Sequence, residues 1–272
     1  MPVVRAVGAA EVIALEDGAG PFFKPREEVF PAATPEQWHR ADAFDPATVG
    51  PGGEWLLRFR CFVVRVAGRV VLVDAGIGPA DAPAAAWAPV PGRLPEELAA
   101  AGIAPADVDT VVLTHLHTDH IGWAVVGAGT AYFPNAAYLL QRAEHDAVMS
   151  INPALRERLL DPLRATGQLR LLDGDTPLAP GVAALATPGH TPGHQSVLVT
   201  AGEEAVLVTG DLLVHPVQLV APGVPYALEV APDTARESRT ARLRDLADRP
   251  AAALATSHLG SAFTALPGEG LS

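Results

Sequence analysis

Three of the chain's nine histidines fall within six residues, HLHTDH at 115–120. In an extended segment residues i and i+2 project to the same side, so His115 and His117 converge on one point. Asp119 and His120 follow where the chain must bend, and they aim at a second point close by. Imidazole and carboxylate donors without thiolate suit zinc, manganese or iron. Crowding three imidazoles and an acid is costly in desolvation and mutual repulsion unless a cation holds them together. The chemistry on offer is metal binding.

Further donors stand at the ends of other apolar runs. TPGHTPGH, residues 187–194, lies between two such runs, and its Pro-Gly pairs fix a tight turn that presents a ring inward. His190 completes three nitrogens about the His115/His117 point. His194 opens the strand-like HQSVLV and reads as a supporting or packing residue. Asp211 ends EAVLVTGD, where a carboxylate can bridge two cations, and His258 ends AAALATSH. Loops gathered at one edge of a sheet scaffold are where a binuclear site is built. Trp123, three residues beyond the histidine loop, is expected to overlook the ions, and His215 to reach the pocket mouth and bind substrate. Phe22, Phe23 and Trp87 are candidates for a lid or for the core.

The elements that must position these residues read as strands interleaved with helices. The N-terminal stretch to residue 18 reads as a first strand. RFRCFVVRV and GRVVLVDAG are β-rich runs joined by a hairpin, and residues 79–95 form an Ala- and Pro-rich excursion. PEELAAAG is a short helix opened by Pro95 and closed by Gly102. DTVVLTH is a continuous apolar run, as expected of a strand covered on both faces, and DHIGWAV after it is helix-like. A helix interrupted at Pro153 spans 141–165, and another spans 232–247. VAALAT, HQSVLVT, EAVLVTG and AAALATSH complete the strands. No repeat or linker divides the 272 residues, so a single domain over 1–272 is expected, as an α/β sandwich of helices over two sheets.

Composition narrows the function classes. Nineteen basic against thirty-one acidic side chains leave a net charge of −12, which repels phosphate backbones and disfavours nucleic acid. No apolar run reaches the ~18–20 residues of a membrane span. The N-terminus lacks the regions of a signal peptide, so the expected location is cytoplasmic and the expected partner a small-molecule substrate, with a homodimer left open. The single cysteine, Cys61, excludes an intrachain disulfide and alternates with apolar neighbours like a core thiol.

HLHTDH, TPGHTPGH, LVTGD and ATSH, in this order, together with LVDAGIG at 72–78, resemble the metallo-β-lactamase superfamily from about residue 60 to 260. The resemblance implies an αβ/βα four-layer sandwich, two mixed β-sheets flanked by helices. It implies one metal on His115, His117 and His190, a second on Asp119, His120 and His258, and Asp211 bridging them, with Asp74 a buried acid supporting the metal loop. Two divalent transition-metal ions, zinc by preference with manganese, iron or cobalt able to take the same ligands, would share a hydroxide that attacks an ester or lactone. Asp119 would hold and pass on its proton as the catalytic acid–base. GDLLVHPVQLVAP resembles the methyl-parathion-hydrolase-like branch, so aryl esters and organophosphates also fit. Quorum-signal lactonases often carry a Tyr shortly after the bridging Asp, where this chain has Leu212, Leu213 and Val214. The alternatives are a thioesterase, of the glyoxalase II or carrier-protein type, and a non-catalytic metal-binding sensor.

Overall fold

Runs of β-branched residues with alternating partners become strands that bury both faces. In the computed structural model, which describes residues 2–266, the chain opens as a hairpin of β1 (Val3–Val7) and β2 (Ala10–Pro21). The single strand expected there is therefore two, because Gly8 takes a positive φ and turns the chain. Helices α1 (Arg26–Val29) and α2 (Pro35–Phe44) follow. β3 (Leu56–Val66) then pairs with β2 and folds back into β4 (Arg69–Val73). Ala67 and Gly68 both have positive φ there, as a two-residue hairpin turn requires.

Helix α3 (Leu94–Ala100) leads to β5 (Thr110–Val112), parallel to β4. A small hairpin of β6 (Val125–Val126) and β7 (Thr130–Ala131) precedes β8 (Ala137–Gln141), parallel to β5. The interrupted helix resolves into α4 (Arg142–Ile151), α5 (Pro153–Leu155), a π turn at Arg156–Leu160 and α6 (Asp161–Ala165). β9 (Leu169–Leu172) closes the first sheet, in the order β1-β2-β3-β4-β5-β8-β9.

The second sheet begins with the antiparallel strands β10 (Thr176–Ala179), β11 (Val182–Ala186), β12 (Gln195–Ala201) and β13 (Glu204–Val208). After α7 (Val217–Val220), helix α8 (Pro232–Ala247) crosses over to β14 (Ala251–Ala255), parallel to β13, and β15 (Phe263–Thr264) forms the edge. Helix α8 buries Ala235, Arg239, Leu243 and Leu246, a stripe at helical spacing.

Alternation along each strand sorts the side chains into layers. Val12, Val64, Val71 and Val73 of the first sheet meet Val197, Val199, Val206 and Val208 of the second in one buried cluster. On the outer face of the first sheet, Leu15, Cys61, Val63 and Leu72 pack with Leu94 and Leu98 of α3 and Val148 of α4. On the outer face of the second, Leu207 and Leu254 pack with Leu243 and Leu246 of α8. The result is helix, sheet, sheet, helix. Among the described residues no helix is long and apolar enough to cross a membrane.

The stretch DHIGWAV departs from its expected helix. Residues 118–124 form turns because their backbone groups are engaged elsewhere. His120 O accepts from Ala75 N, Gly122 N donates to Gly76 O, and Trp123 N donates to Ala75 O, each at 2.7 Å. Gly122 lies so close to the backbone of Ile77 and Gly78 that any Cβ would overlap it. This loop-to-loop seam sets the histidine loop at the end of β5.

Candidate metal centre

The ends of β5, β11, β13 and β14 meet at one edge of the two sheets, and their loops bring seven side chains together. His115, His117, His190 and Asp211 offer donor atoms within 4.8 Å of one another, and so do Asp119, His120 and His258. The rings of His115 and His117 lie 4.5 Å apart, the convergence expected of i and i+2. Asp211 stands between the groups. Its Oδ2 lies 3.2 Å from His190 Nε2 and 3.7 Å from His115 Nε2, while Oδ1 lies 3.2 Å from His120 Nε2 and 3.1 Å from His258 Nε2. Asp119 Oδ2 lies 3.5 Å from His120 Nε2 and 3.6 Å from His258 Nε2.

Buried groups behind the site orient several of the donors. Asp74, at φ 64, accepts from Thr114 N at 2.8 Å and from the Thr114 hydroxyl at 2.9 Å, and its Oδ2 lies 2.8 Å from His120 Nδ1. A positive φ is strained for a residue other than glycine, and it persists here because three bonds hold the carboxylate. His194, fully buried, accepts from the Asp211 backbone amide at Nε2, 2.9 Å, while its Nδ1 faces Thr187 Oγ1 at 2.8 Å. The two histidines of TPGHTPGH thus divide: His190 enters the cluster and His194 holds Asp211 from behind. Gly210 is needed beside it, since a Cβ at its φ of 52 would come within 2.8 Å of His194 Nε2.

His258 Nδ1 donates to Arg58 O at 2.8 Å. The Arg60 guanidinium bonds the carbonyls of Thr256, Leu259 and Gly260, bracketing the His258 loop from β3. Glu144 ties two ligand loops together, accepting from Leu116 N at 3.0 Å and Gly193 N at 2.9 Å.

The donor set fits divalent cations. With Nδ1 of His120 turned to Asp74 and Nδ1 of His258 to a carbonyl, the two Nε2 atoms face each other at 3.3 Å, a distance at which two protons cannot point at one another. Buried His115 Nε2 and Asp211 Oδ1 have no hydrogen-bond partner, a costly state unless another ligand takes them up. Burial opposes charge on His120, yet Asp211, Asp119 and Asp74 push its pKa well above the ordinary imidazole value. Burial likewise opposes charge on Asp211, and His120, His258 and His115 hold it well below the carboxylate range. The acids call for positive charge between them.

Above the donors opens a cavity of 610 Å³, lined by His117, Asp119, His190, Asp211 and His258 and walled by Phe22, Phe23, Trp55 and Trp87. Trp87 Nε1 donates to the Thr118 hydroxyl at 3.0 Å, which fastens the 79–93 excursion to the histidine loop. Phe22, Phe23 and Trp87 therefore form a cavity wall.

Two expected substrate residues are elsewhere. Trp123 is absent from the cavity lining; its indole N–H donates to buried Asp17 at 3.2 Å and its ring packs on Tyr132. The backbone seam with Ala75 turns it away from the donor cluster. His215 is fully buried, caged by Phe30, Trp38 and Trp55 with ring centroids 5.2–5.4 Å away, and its Nδ1 accepts from Val217 N. That cage keeps it from the pocket mouth.

Sequence reasoning missed Tyr226, which lines the cavity and stacks over His190 at 6.1 Å and Phe30 at 5.0 Å. Burial and the charges of Asp211 and Asp119 push its phenol well above the ordinary value, so it remains a hydrogen-bond donor. Its backbone N–H donates to Glu229, which in turn pairs with Arg239 of α8 at 2.9 Å. No local motif marks this residue.

Comparison with known proteins places the chain in a family. The profile of the metallo-beta-lactamase superfamily matches residues 60–258. An N-acyl homoserine lactonase of a Bacillus species is 38% identical over 120 residues, 44% of this chain and 44% of that protein. The chain thus spans about half the length of the curated relatives it matches or less. Among solved structures, a quorum-quenching N-acyl homoserine lactone lactonase is 25% identical, with a TM-score of 0.69 and 94% of each chain covered. The dizinc quorum-quenching lactonase AidC, at 22% identity, has a TM-score of 0.74 over 99% of this chain and 92% of its own, a likeness of fold. A family match over most of the sequence and two sheets that gather its histidines and acids at one edge together say the same thing: the chain belongs to the metallo-beta-lactamase superfamily.

Proposed function

We propose that this chain is a metal-dependent hydrolase of lactones or esters with a substantial apolar portion, working with two divalent cations, zinc by preference. The observation that carries the reading is the gathering of seven nitrogen and oxygen donors, with Asp211 between the two groups, five of which line an aromatic-walled cavity. Its sequence likeness to lactonases supports the lactone. One metal would lie on His115, His117 and His190, the other on Asp119, His120 and His258, with Asp211 shared. Such a pair supplies a water activated near neutral pH and polarises the carbonyl under attack.

The chain's own groups supply the rest. Phe22, Phe23, Trp55 and Trp87 hold the apolar part of the substrate and exclude water from its scissile bond. The Tyr226 hydroxyl donates to the carbonyl oxygen as negative charge develops on it. This takes the place of the tyrosine missing after Asp211. Asp119, at the cavity floor, accepts a proton on its carboxylate and returns it to the departing oxygen.

The test is a panel of a lactone, a 4-nitrophenyl ester, a thioester and an aryl phosphotriester, given to zinc-loaded and chelator-treated protein. Hydrolysis of the lactone or ester that chelation abolishes is the expected result. Preference for the thioester would favour the thioesterase, and zinc binding without turnover of any member would favour the sensor.

A further inference from the structure

Arg158 is the one arginine in the cavity lining, which contains no lysine. It projects from the π turn Arg156–Leu160, a helical distortion that recurs at functional sites. Its neighbours are neutralised: Arg156 pairs with Glu157 at 3.1 Å and Asp161 at 3.4 Å, and Arg164 pairs with Asp161 at 3.7 Å. Arg158 has no such carboxylate among the described residues. One of its nitrogens donates to the carbonyl of Asp81 at 3.0 Å, which leaves most of the guanidinium's five N–H donors free.

Asn152 lines the same cavity six residues earlier. Its Oδ1 is taken by the Leu155 amide at 3.1 Å, so the side it leaves free is the NH₂ group, again a donor only. Apart from the metal-donor residues, Tyr226 and Thr118, whose hydroxyl already accepts from Trp87, the lining is apolar, and Arg158 and Asn152 are the two side chains in it that can give hydrogen bonds to the far end of a ligand. A carboxylate is the matching ligand, because it only accepts and fits the guanidinium fork in a bidentate pair. A carboxamide would leave its own N–H groups facing donors.

Resting on the hydrolase reading above, we infer that Arg158 and Asn152 form a carboxylate subsite, so that the preferred substrate is an ester or lactone bearing a free carboxylate beyond its apolar portion. The subsite makes Arg158 a specificity-determining residue. Its bond to Asp81 alone would make it a brace for the 79–93 excursion, and a brace would not distinguish one substrate tail from another.

The test compares three 4-nitrophenyl esters of matched length, ending in methyl, carboxamide or carboxylate, on zinc-loaded wild type, R158M and R158K. Wild type is expected to have a KM for the carboxylate ester at least tenfold below the other two. R158M should shrink that preference at least tenfold and R158K should restore part of it, with 0.5 M salt eroding it in wild type. Calorimetric titration of heptanedioate, whose second carboxylate can reach the subsite while the first rests at the metals, reads the subsite without turnover: binding at least tenfold weaker in R158M is expected, while hexanoate, which has no second carboxylate, should bind both proteins alike. If wild type hydrolyses no ester while this binding difference persists, the hydrolase reading fails and the subsite stands. If wild type hydrolyses the methyl-ended ester but gains nothing from the carboxylate, or R158M lowers all three alike, the subsite is overturned.

Discussion

Asp211 Oδ1 lies 3.1 Å from His258 Nε2, while the other oxygen of the same carboxylate turns to His190. One side chain therefore joins two donor groups, each of which draws on loops far apart in sequence. Asp211→Asn keeps the shape but removes the charge that both groups share. Bound zinc, measured by elemental analysis, should fall from about two ions per chain toward one or fewer, and turnover by at least about a hundredfold. Two tightly held ions in this variant would show that Asp211 is no bridge.

Tyr226→Phe tests the hydroxyl apart from the ring. No hydrogen bond to protein engages that hydroxyl among the described residues, so its loss should change stability by no more than about 0.5 kcal/mol. Removing a donor aimed at a developing oxyanion should lower kcat by roughly a hundredfold, with a smaller effect on KM. An unchanged kcat would remove Tyr226 from the mechanism.

The segment that carries Tyr226 depends on a buried ion pair. Glu229 and Arg239 are both inaccessible, and Arg239 also bonds the carbonyls of Leu212, Pro222 and Val224. Breaking such a pair leaves one charge buried without a partner, at a cost of about 3–5 kcal/mol. Glu229→Gln should therefore lower the unfolding free energy in urea by about that amount, well beyond the effect of Tyr226→Phe. Equal stability for the two variants would mean that the pair does not organise the segment.

These residues mark where the sequence is readable. Each expected ligand directly follows a short apolar run or sits in a loop between two, so strand patterning alone located His115, Asp211 and His258 at strand ends. Trp123 was misplaced because its spacing suits a helix, whereas the decisive bonds run from its backbone to Ala75. His215 resembles a polar loop residue until Phe30, Trp38 and Trp55 arrive from distant parts of the chain. Glu144 carries no local signal, since its amide partners lie 28 and 49 residues away. Periodicity and end positions are local information; cages and cross-loop ties exist only once the sheets have packed.

His215 gives the fold an acid sensitivity of known sign. Burial among aromatic rings lowers its pKa to about 3, against an ordinary value of about 6.5 in the unfolded chain. Above pH 6.5 both states are neutral and nothing is lost. As pH falls below 6.5 the unfolded chain takes up a proton that the folded chain refuses, so stability drops by about 1.4 kcal/mol per pH unit until about pH 3. His215→Phe should be slightly weaker at pH 7.5, having lost the bond from Val217 N, yet lose less stability than wild type between pH 6.5 and 5. Urea unfolding at several pH values with zinc in excess measures this, and parallel pH slopes for the two proteins would refute it.

Removing the ions should be felt by the whole fold. The folded chain gathers seven donors that the unfolded chain scatters, so ions bind the native state far better and stabilise it by mass action. At a free zinc concentration a thousand times the dissociation constant, one site contributes about 4 kcal/mol. For a domain of this size that corresponds to a rise in Tm on the order of 10 °C. Thermal unfolding with zinc should therefore run well above that in a strong chelator. The difference should shrink in Arg60→Met, which releases the loop of His258 and so weakens one ion while the His115, His117 and His190 group stays intact. A zinc-dependent shift as large in Arg60→Met as in wild type would show that the clamp on Thr256, Leu259 and Gly260 has no part in holding the metal. No shift in either protein would mean that the seven donors hold no ion.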